Sequence, residues 1–208
     1  MDIIQKKQEC LKALSHDVRT PLTSVKEAIS LLGEETIGSL NETQKKCQKI
    51  AKEEMARLNH FFDMTLEMAR LGTNGKEDVK AFEMDPLFQE AEKFNRTCLE
   101  GKSLKINKKI GRKKVALLMD ERQMFLLIMT LFQYACRNAL PDTEIGFHSG
   151  LIQDQFQMLL EFQSGSGFHK DALSIFLITM AEFYQGKTDF TFHASDSKVE
   201  VKVVLPLN

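Results

Sequence analysis

The chain has 208 residues, 43% of them hydrophobic and 27% charged, a composition of one or two globular domains rather than of a disordered or fibrous chain. Its 28 Lys and Arg against 29 Asp and Glu leave a net charge of -1, so it lacks the overall field that nucleic acid or an anionic membrane would need, and proteins are the expected partners. No stretch approaches the ~20 apolar residues of a membrane span, and the opening Met-Asp-Ile-Ile-Gln-Lys-Lys lacks the apolar centre of a signal peptide; a cytoplasmic chain is expected, alone or as the cytoplasmic piece of a longer sensor.

From the start, Leu11, Leu14, Val18, Leu22, Val25, Ile29 and Leu32 recur three or four apart and draw one apolar stripe along an α-helix. His16, Arg19 and Thr23 lie off that stripe. Residues 33–40 break the pattern, and Asn41 with Gln44 three positions later predicts an N-cap and capping box. The helix that follows carries Cys47, Ile50, Met55, Leu58, Phe61, Phe62, Leu66 and Met68 to a stop near Leu71 to Gly75, a length of about 45 Å at 1.5 Å per residue. Two such helices joined by a short loop form an antiparallel hairpin. Its stripe is too wide for one partner helix, which predicts a homodimeric four-helix bundle.

After Gly72 to Lys76 the texture changes, so we divide the chain into residues 1–75 and 76–208. A helix is predicted over 86–99, strands over 104–107 and 115–119, and a strongly apolar helix over 121–139. Strands over 144–147 and 156–162, a glycine turn, a helix over 170–184 and two last strands complete an α/β unit, giving an α+β chain. Between Gly101 and Val115, seven cations (Lys102, Lys105, Lys108, Lys109, Arg112, Lys113 and Lys114) alternate in part with Leu104, Ile106 and Ile110. This pattern predicts a hairpin with one solvated face, preferred to a nucleic-acid or phospholipid patch because interleaved aromatics are absent, with an acidic protein partner as the intermediate reading. Cys10, Cys47, Cys98 and Cys136 have no paired spacing for a metal or redox site and are expected as reduced thiols.

The densest chemistry is Ser15-His16-Asp17-Val18-Arg19-Thr20-Pro21-Leu22. A neutral imidazole is a good nucleophile and its phosphoramidate keeps a high transfer potential, so an exposed histidine suits phosphoryl carriage. Asp17 can accept from one ring nitrogen and fix the tautomer. Pro21 has no N–H, which releases the Asp17 carbonyl and needs a reason in mid-helix. His60, His148, His169 and His193 have no such surroundings and read as solvated or core residues.

This segment resembles the phosphoacceptor box of two-component sensor histidine kinases, H-[DE]-x-[KR]-T-P-L. The resemblance implies that His16 is the phosphorylated residue, that Asp17 is its base or orienter, and that Thr20 positions the water that dephosphorylates a response regulator; Arg19 is expected to help tune the imidazole. The second half resembles the Bergerat-type ATPase domain of the same kinases: residues 120–139 match the approach to the asparagine-box helix, and Gln163-Ser-Gly-Ser-Gly-Phe matches the first glycine box.

Three contacts that the family makes to nucleotide are altered. Tyr134 stands where an asparagine supplies an oxygen to magnesium, and a neutral phenol is a poor magnesium ligand. Gln163 replaces the aspartate that accepts from the adenine amino group, with Gly165 and Gly167 following. No glycine lies between Gly167 and Gly186 to close backbone N–H groups on the phosphates. The reading is a homodimeric histidine phosphotransferase that carries phosphoryl on His16 between response-regulator receiver domains. It has no metal or cofactor of its own: magnesium comes with the regulator, and ATP is doubtful. The rival readings are an active kinase core, a regulator phosphatase using Asp17 and Thr20, and a scaffold without chemistry.

Overall fold

A computed structural model describes residues 3–34, 38–71, 80–111, 114–117, 119–165, 167 and 170–207, which fall into two units, Met1–Gly75 and Lys76–Asn208. The first is the expected helical hairpin, α1 (Ile3–Leu31) and α2 (Glu42–Arg70). Helix α2 opens on the predicted capping box, the Asn41 side chain accepting from the Gln44 N–H and the Gln44 side chain from the Asn41 N–H, each at 2.9 Å. Helix α1 continues through Pro21. Across the seam the Gln48 amide donates to the Ile29 carbonyl at 2.7 Å, and Arg19 pairs with Asp63 at 2.8 Å.

The apolar stripe of α1 divides. Leu11, Val18, Leu22 and Ile29 are half-buried, while Leu14, Val25 and Leu32 stay about half exposed, as do Ile50 and Leu58 on α2. His60, one turn before Asp63 on α2, is buried, and this lowers its pKa to about 4 against the opposing pull of Asp63.

The second unit has a five-stranded mixed sheet in the order β2-β4-β5-β7-β6 and a separate two-stranded sheet β1-β3. In chain order come β1 (Lys80–Phe82), α3 (Met84–Phe94), α4 (Arg96–Gly101), β2 (Lys105–Ile110), β3 (Val115–Leu117), α5 (Glu121–Asn138), β4 (Glu144–Ile152), β5 (Gln155–Gln163), α6 (Ala172–Phe183), β6 (Lys187–His193) and β7 (Lys198–Pro206). Strict alternation along β5 and β7 buries Phe156, Met158, Leu160, Phe162, Val199, Val201, Val203 and Leu205, which makes one face of the sheet apolar. Helix α5 packs between α3 and α6, and Phe88, Phe132 and Phe147 meet there with ring centroids 4.8 to 5.7 Å apart. The other face of the sheet is polar. Glu161 pairs with Lys198, Lys198 with Glu200 at 3.1 Å and Glu200 with His193 at 3.4 Å, cross-strand and same-strand pairs of alternating sign.

Two expectations are corrected. The basic run is not a hairpin: β2 runs parallel to β4, whereas β3 is antiparallel to β1 in the other sheet. The helix expected over 86–99 is two helices, because the buried Asn95 side chain donates to the Ala91 carbonyl at 2.8 Å and competes with continued helical bonding. The described cysteines are all free thiols. Cys136 lies against Cys98, and their hydrogen bond together with burial pushes the Cys136 thiol far up, holding it protonated.

At Gly186, between α6 and β6, an added Cβ would collide with the Val204 carbonyl oxygen and approach Leu205 Cδ2 to 2.9 Å. Backbone cannot retreat as a flexible side chain can, so Gly186→Ala is expected to lower stability by about 2 kcal/mol or more in urea unfolding; an unchanged midpoint would contradict this packing. Acid should act through His60. Its folded pKa of about 4 lies below its ordinary 6.5, so the unfolded chain takes up the proton first. That contribution to stability is complete above about pH 6.5 and is lost as pH falls toward about 4, on the order of 3 kcal/mol in all. His60→Leu should flatten the pH dependence of unfolding in that window relative to the native chain.

Candidate functional site

His16 projects from α1 with its side chain 83% exposed. Its Nδ1 lies 3.4 Å from an Asp17 carboxylate oxygen, which favours the tautomer with the proton on Nδ1 and leaves the Nε2 lone pair toward solvent. The Thr20 hydroxyl donates to the His16 carbonyl at 3.0 Å. This holds the hydroxyl oxygen one turn from the imidazole with acceptor capacity remaining. The sequence thus brings His16, Asp17 and Thr20 together as expected, through helical spacing alone.

Arg19 behaves differently from the expectation. Its guanidinium pairs with Asp63 of α2 at 2.8 Å, so its first partner is the neighbouring helix and not the imidazole. Asp63 was missed because it lies 44 residues from Arg19, and only the register of the hairpin makes them neighbours.

Beside His16 runs an open groove of about 500 Å³ lined by Lys12, Ser15, His16, Arg19, Thr20, Thr23, Ser24 and Arg70. It contains three cations, four hydroxyls and no carboxylate. Lys12 is one turn before His16, a relation legible from helical spacing. Arg70 comes from the far end of α2, and nothing in sequence connects it to His16.

In the second unit the positions that the resemblance ties to nucleotide are Tyr134, Gln163, Gly165 and Gly167. Tyr134 is fully buried on α5, and its ring packs edge-on against Phe162 at 6.0 Å and Phe190 at 5.6 Å. Gln163 ends β5, where its carbonyl accepts from the Leu140 N–H at 2.9 Å. The Cα of Gly165 faces Leu140, and Gly167, at φ +73°, faces the Phe192 ring. Of the other large side chains on this helix, Phe132 belongs to the cluster with Phe88 and Phe147, and Met129 is core, touched by the Asn95 amide at 3.8 Å.

The N-terminus of α6 is already occupied by an anion. Asp171 caps it, accepting from the Ser174 N–H at 3.0 Å, and its other oxygen meets Arg137 at 3.3 Å. A phosphate at this end would have to displace that carboxylate. Among the described residues no group of three or more His, Cys, Asp or Glu could hold a metal ion, and no helix is long and apolar enough to cross a membrane.

Residues 6–74 match the His Kinase A (phospho-acceptor) domain. The chain is 26% identical to the sensor histidine kinase GlrK of Escherichia coli K12 over 83 residues, which is 40% of this chain and 18% of that protein; the chain therefore spans less than a fifth of its curated relative. The histidine kinase AdeS of Acinetobacter baumannii superposes with a TM-score of 0.62 at 14% identity, over 93% of this chain and 98% of that one. The catalytic domain of the histidine kinase ThkA superposes with a TM-score of 0.52 at 11% identity, over 62% of this chain and 97% of that one. The chain thus has the architecture of a sensor histidine kinase core, a phosphoacceptor hairpin followed by a catalytic-domain fold.

If Tyr134 is core, its removal should cost what a buried aromatic costs. Tyr134→Ala is expected to lower stability by about 3 to 5 kcal/mol, read from denaturant unfolding, and Mg-ATP should not restore it. A loss below about 1 kcal/mol would mean that the ring fills no required space.

Proposed function

We propose that the chain is a histidine phosphotransferase: His16 accepts a phosphoryl group from the aspartate of one receiver domain and passes it to the aspartate of another, without ATP. The observation that carries this reading is the full burial of Tyr134 among Phe162 and Phe190, at the position where the resemblance puts the magnesium-binding asparagine. The carboxylate cap on α6 adds to it.

In the forward step Nε2 forms a bond to phosphorus as the bond from phosphorus to the aspartate oxygen breaks, and the carboxylate leaves as an anion. The step reverses on the second receiver. Asp17 keeps the Nδ1 proton in place and offsets the charge that develops on the ring. Exposure of His16 matters because both receivers must approach in line with Nε2. Magnesium is contributed by the receiver.

A second copy of the chain is the proposed cover for Leu14, Val25, Leu32, Ile50 and Leu58, whose exposure leaves half of the apolar stripe unsatisfied. An active kinase is the rival reading, and what favours it is the retained catalytic-domain architecture. A phosphatase action through Thr20 is compatible with either, since the hydroxyl oxygen sits one turn from His16.

The readings separate on one experiment. Purified chain is incubated with γ-labelled Mg-ATP or with a labelled phosphorylated receiver, and acid-labile, base-stable label is scored against His16→Ala. We expect label from the receiver only, and none in the variant. Label on His16 from Mg-ATP alone would overturn the phosphotransferase reading in favour of the kinase. Thr20→Ala is expected to leave transfer within about threefold, while slowing any loss of receiver phosphate to water by tenfold or more.

A further inference from the structure

Arg19 belongs to two places at once: its guanidinium is tied to the seam by Asp63, and it also lines the groove beside His16. We propose that Asp63 is a positioning residue that keeps Arg19 in reserve, and that a phosphoryl group on His16 draws the guanidinium off Asp63 onto its own oxygens. This inference rests on His16 being the carrier.

Arg19 follows His16 by three residues, which places both side chains on one side of α1. Its tie to Asp63 is a hydrogen bond from Nη2 to one carboxylate oxygen at 2.8 Å. The two side chains are 48% and 35% exposed, and a pair so open to water is held weakly. Among the described residues Arg19 has no other ion-pair partner, so no second contact has to break for it to move. Asp63 does not itself line the groove and acts on the phosphoryl group through Arg19. Arg70, which does line it, has a partner already, and the exchange does not call on it.

The driving force is the change of charge. A neutral imidazole offers a guanidinium nothing that competes with a carboxylate. A phosphoryl group brings about two negative charges and three acceptor oxygens, and the guanidinium fork can meet two of those oxygens at once. The single bond to Asp63 is thus exchanged for a two-point contact. The hairpin survives because Leu11, Val18, Leu22 and Ile29 and the Gln48 to Ile29 hydrogen bond hold the seam without Arg19. By competing for the cation, Asp63 keeps the phosphorylated form from becoming too stable, which suits a carrier that must pass its group on.

The test uses the intact chain with phosphoramidate, a small donor that needs no protein partner. Nε2 bonds to phosphorus as the donor's P–N bond breaks, and ammonia departs as ammonium. At a fixed ratio of phosphoramidate to ammonium, the ratio of phosphorylated to free His16 is measured by ³¹P NMR. The samples are the native chain, Asp63→Asn, Asp63→Ala, Asp63→Glu, Arg19→Gln, the double variant Arg19→Gln with Asp63→Asn, and Glu53→Gln, which removes a carboxylate elsewhere on α2. Removing Asp63 is expected to raise the ratio about threefold and removing Arg19 to lower it about threefold, the size expected for exchange of an exposed ion pair. The double variant should match Arg19→Gln, and Asp63→Glu and Glu53→Gln should match the native chain. A contact that served only the seam would move both single variants in the same direction or neither. If Asp63→Asn and Asp63→Ala leave the ratio unchanged or lower it, or if Asp63→Asn raises it as much in the absence of Arg19, the exchange is overturned while the carrier reading stands. If native His16 takes no phosphoryl group, or His16→Ala takes as much, the carrier reading fails and this inference with it.

Discussion

The seam between α1 and α2 is the constraint on which the rest of the first unit depends. Leu11, Val18, Leu22 and Ile29 turn one side of α1 toward α2, and a helix with a committed apolar side has no freedom to rotate. His16, off that side, is therefore exposed, and its nucleophilic nitrogen is presented on a rigid element rather than a loop. The Arg19 to Asp63 pair and the Gln48 to Ile29 hydrogen bond fix the axial register. That register is what brings Arg70, from the last turn of α2, into the groove of His16.

The same seam leaves part of the apolar stripe of each helix uncovered. A two-helix unit can cover only part of each helix, and the uncovered part here includes Leu14, Val25, Leu32, Ile50 and Leu58 beside its charged side chains. Burial of these apolar side chains against a second copy is worth roughly 25 cal/mol per Å². For the proposed function this separation is useful: dimerisation would occupy the apolar faces and leave the polar groove of His16 open to a receiver.

In the proposed reading the architecture and the chemistry of the second unit have come apart, as a fold and its site can. The sheet depends on alternation in β5 and β7 and on α5 lying between α3 and α6, none of which requires a ligand. Where the resemblance places a polar asparagine, this chain has a phenol that joins Phe162 and Phe190, and the nearby glycines lie against Leu140 and Phe192. A residue that serves the core in this way contributes stability without nucleotide. The proposed carrier needs nothing more from this unit, since phosphoryl transfer between receivers draws its magnesium and its geometry from the partner.

Much of this was legible in the sequence because it is local. Helical spacing alone put His16 off the stripe and beside Asp17 and Thr20; the Asn41 to Gln44 capping box and the alternation of β5 and β7 are likewise properties of neighbouring residues. What the sequence could not decide are relations between distant segments: the Arg19 to Asp63 pair, Arg70 in the His16 groove, and the parting of β2 and β3 into different sheets. The break at Asn95 was missed for a related reason, since the side chain that ends α3 is buried against Met129 of another helix. Periodicity reports which face of an element is apolar, but which partner that face meets, and in what register, is settled only when all the faces are packed at once.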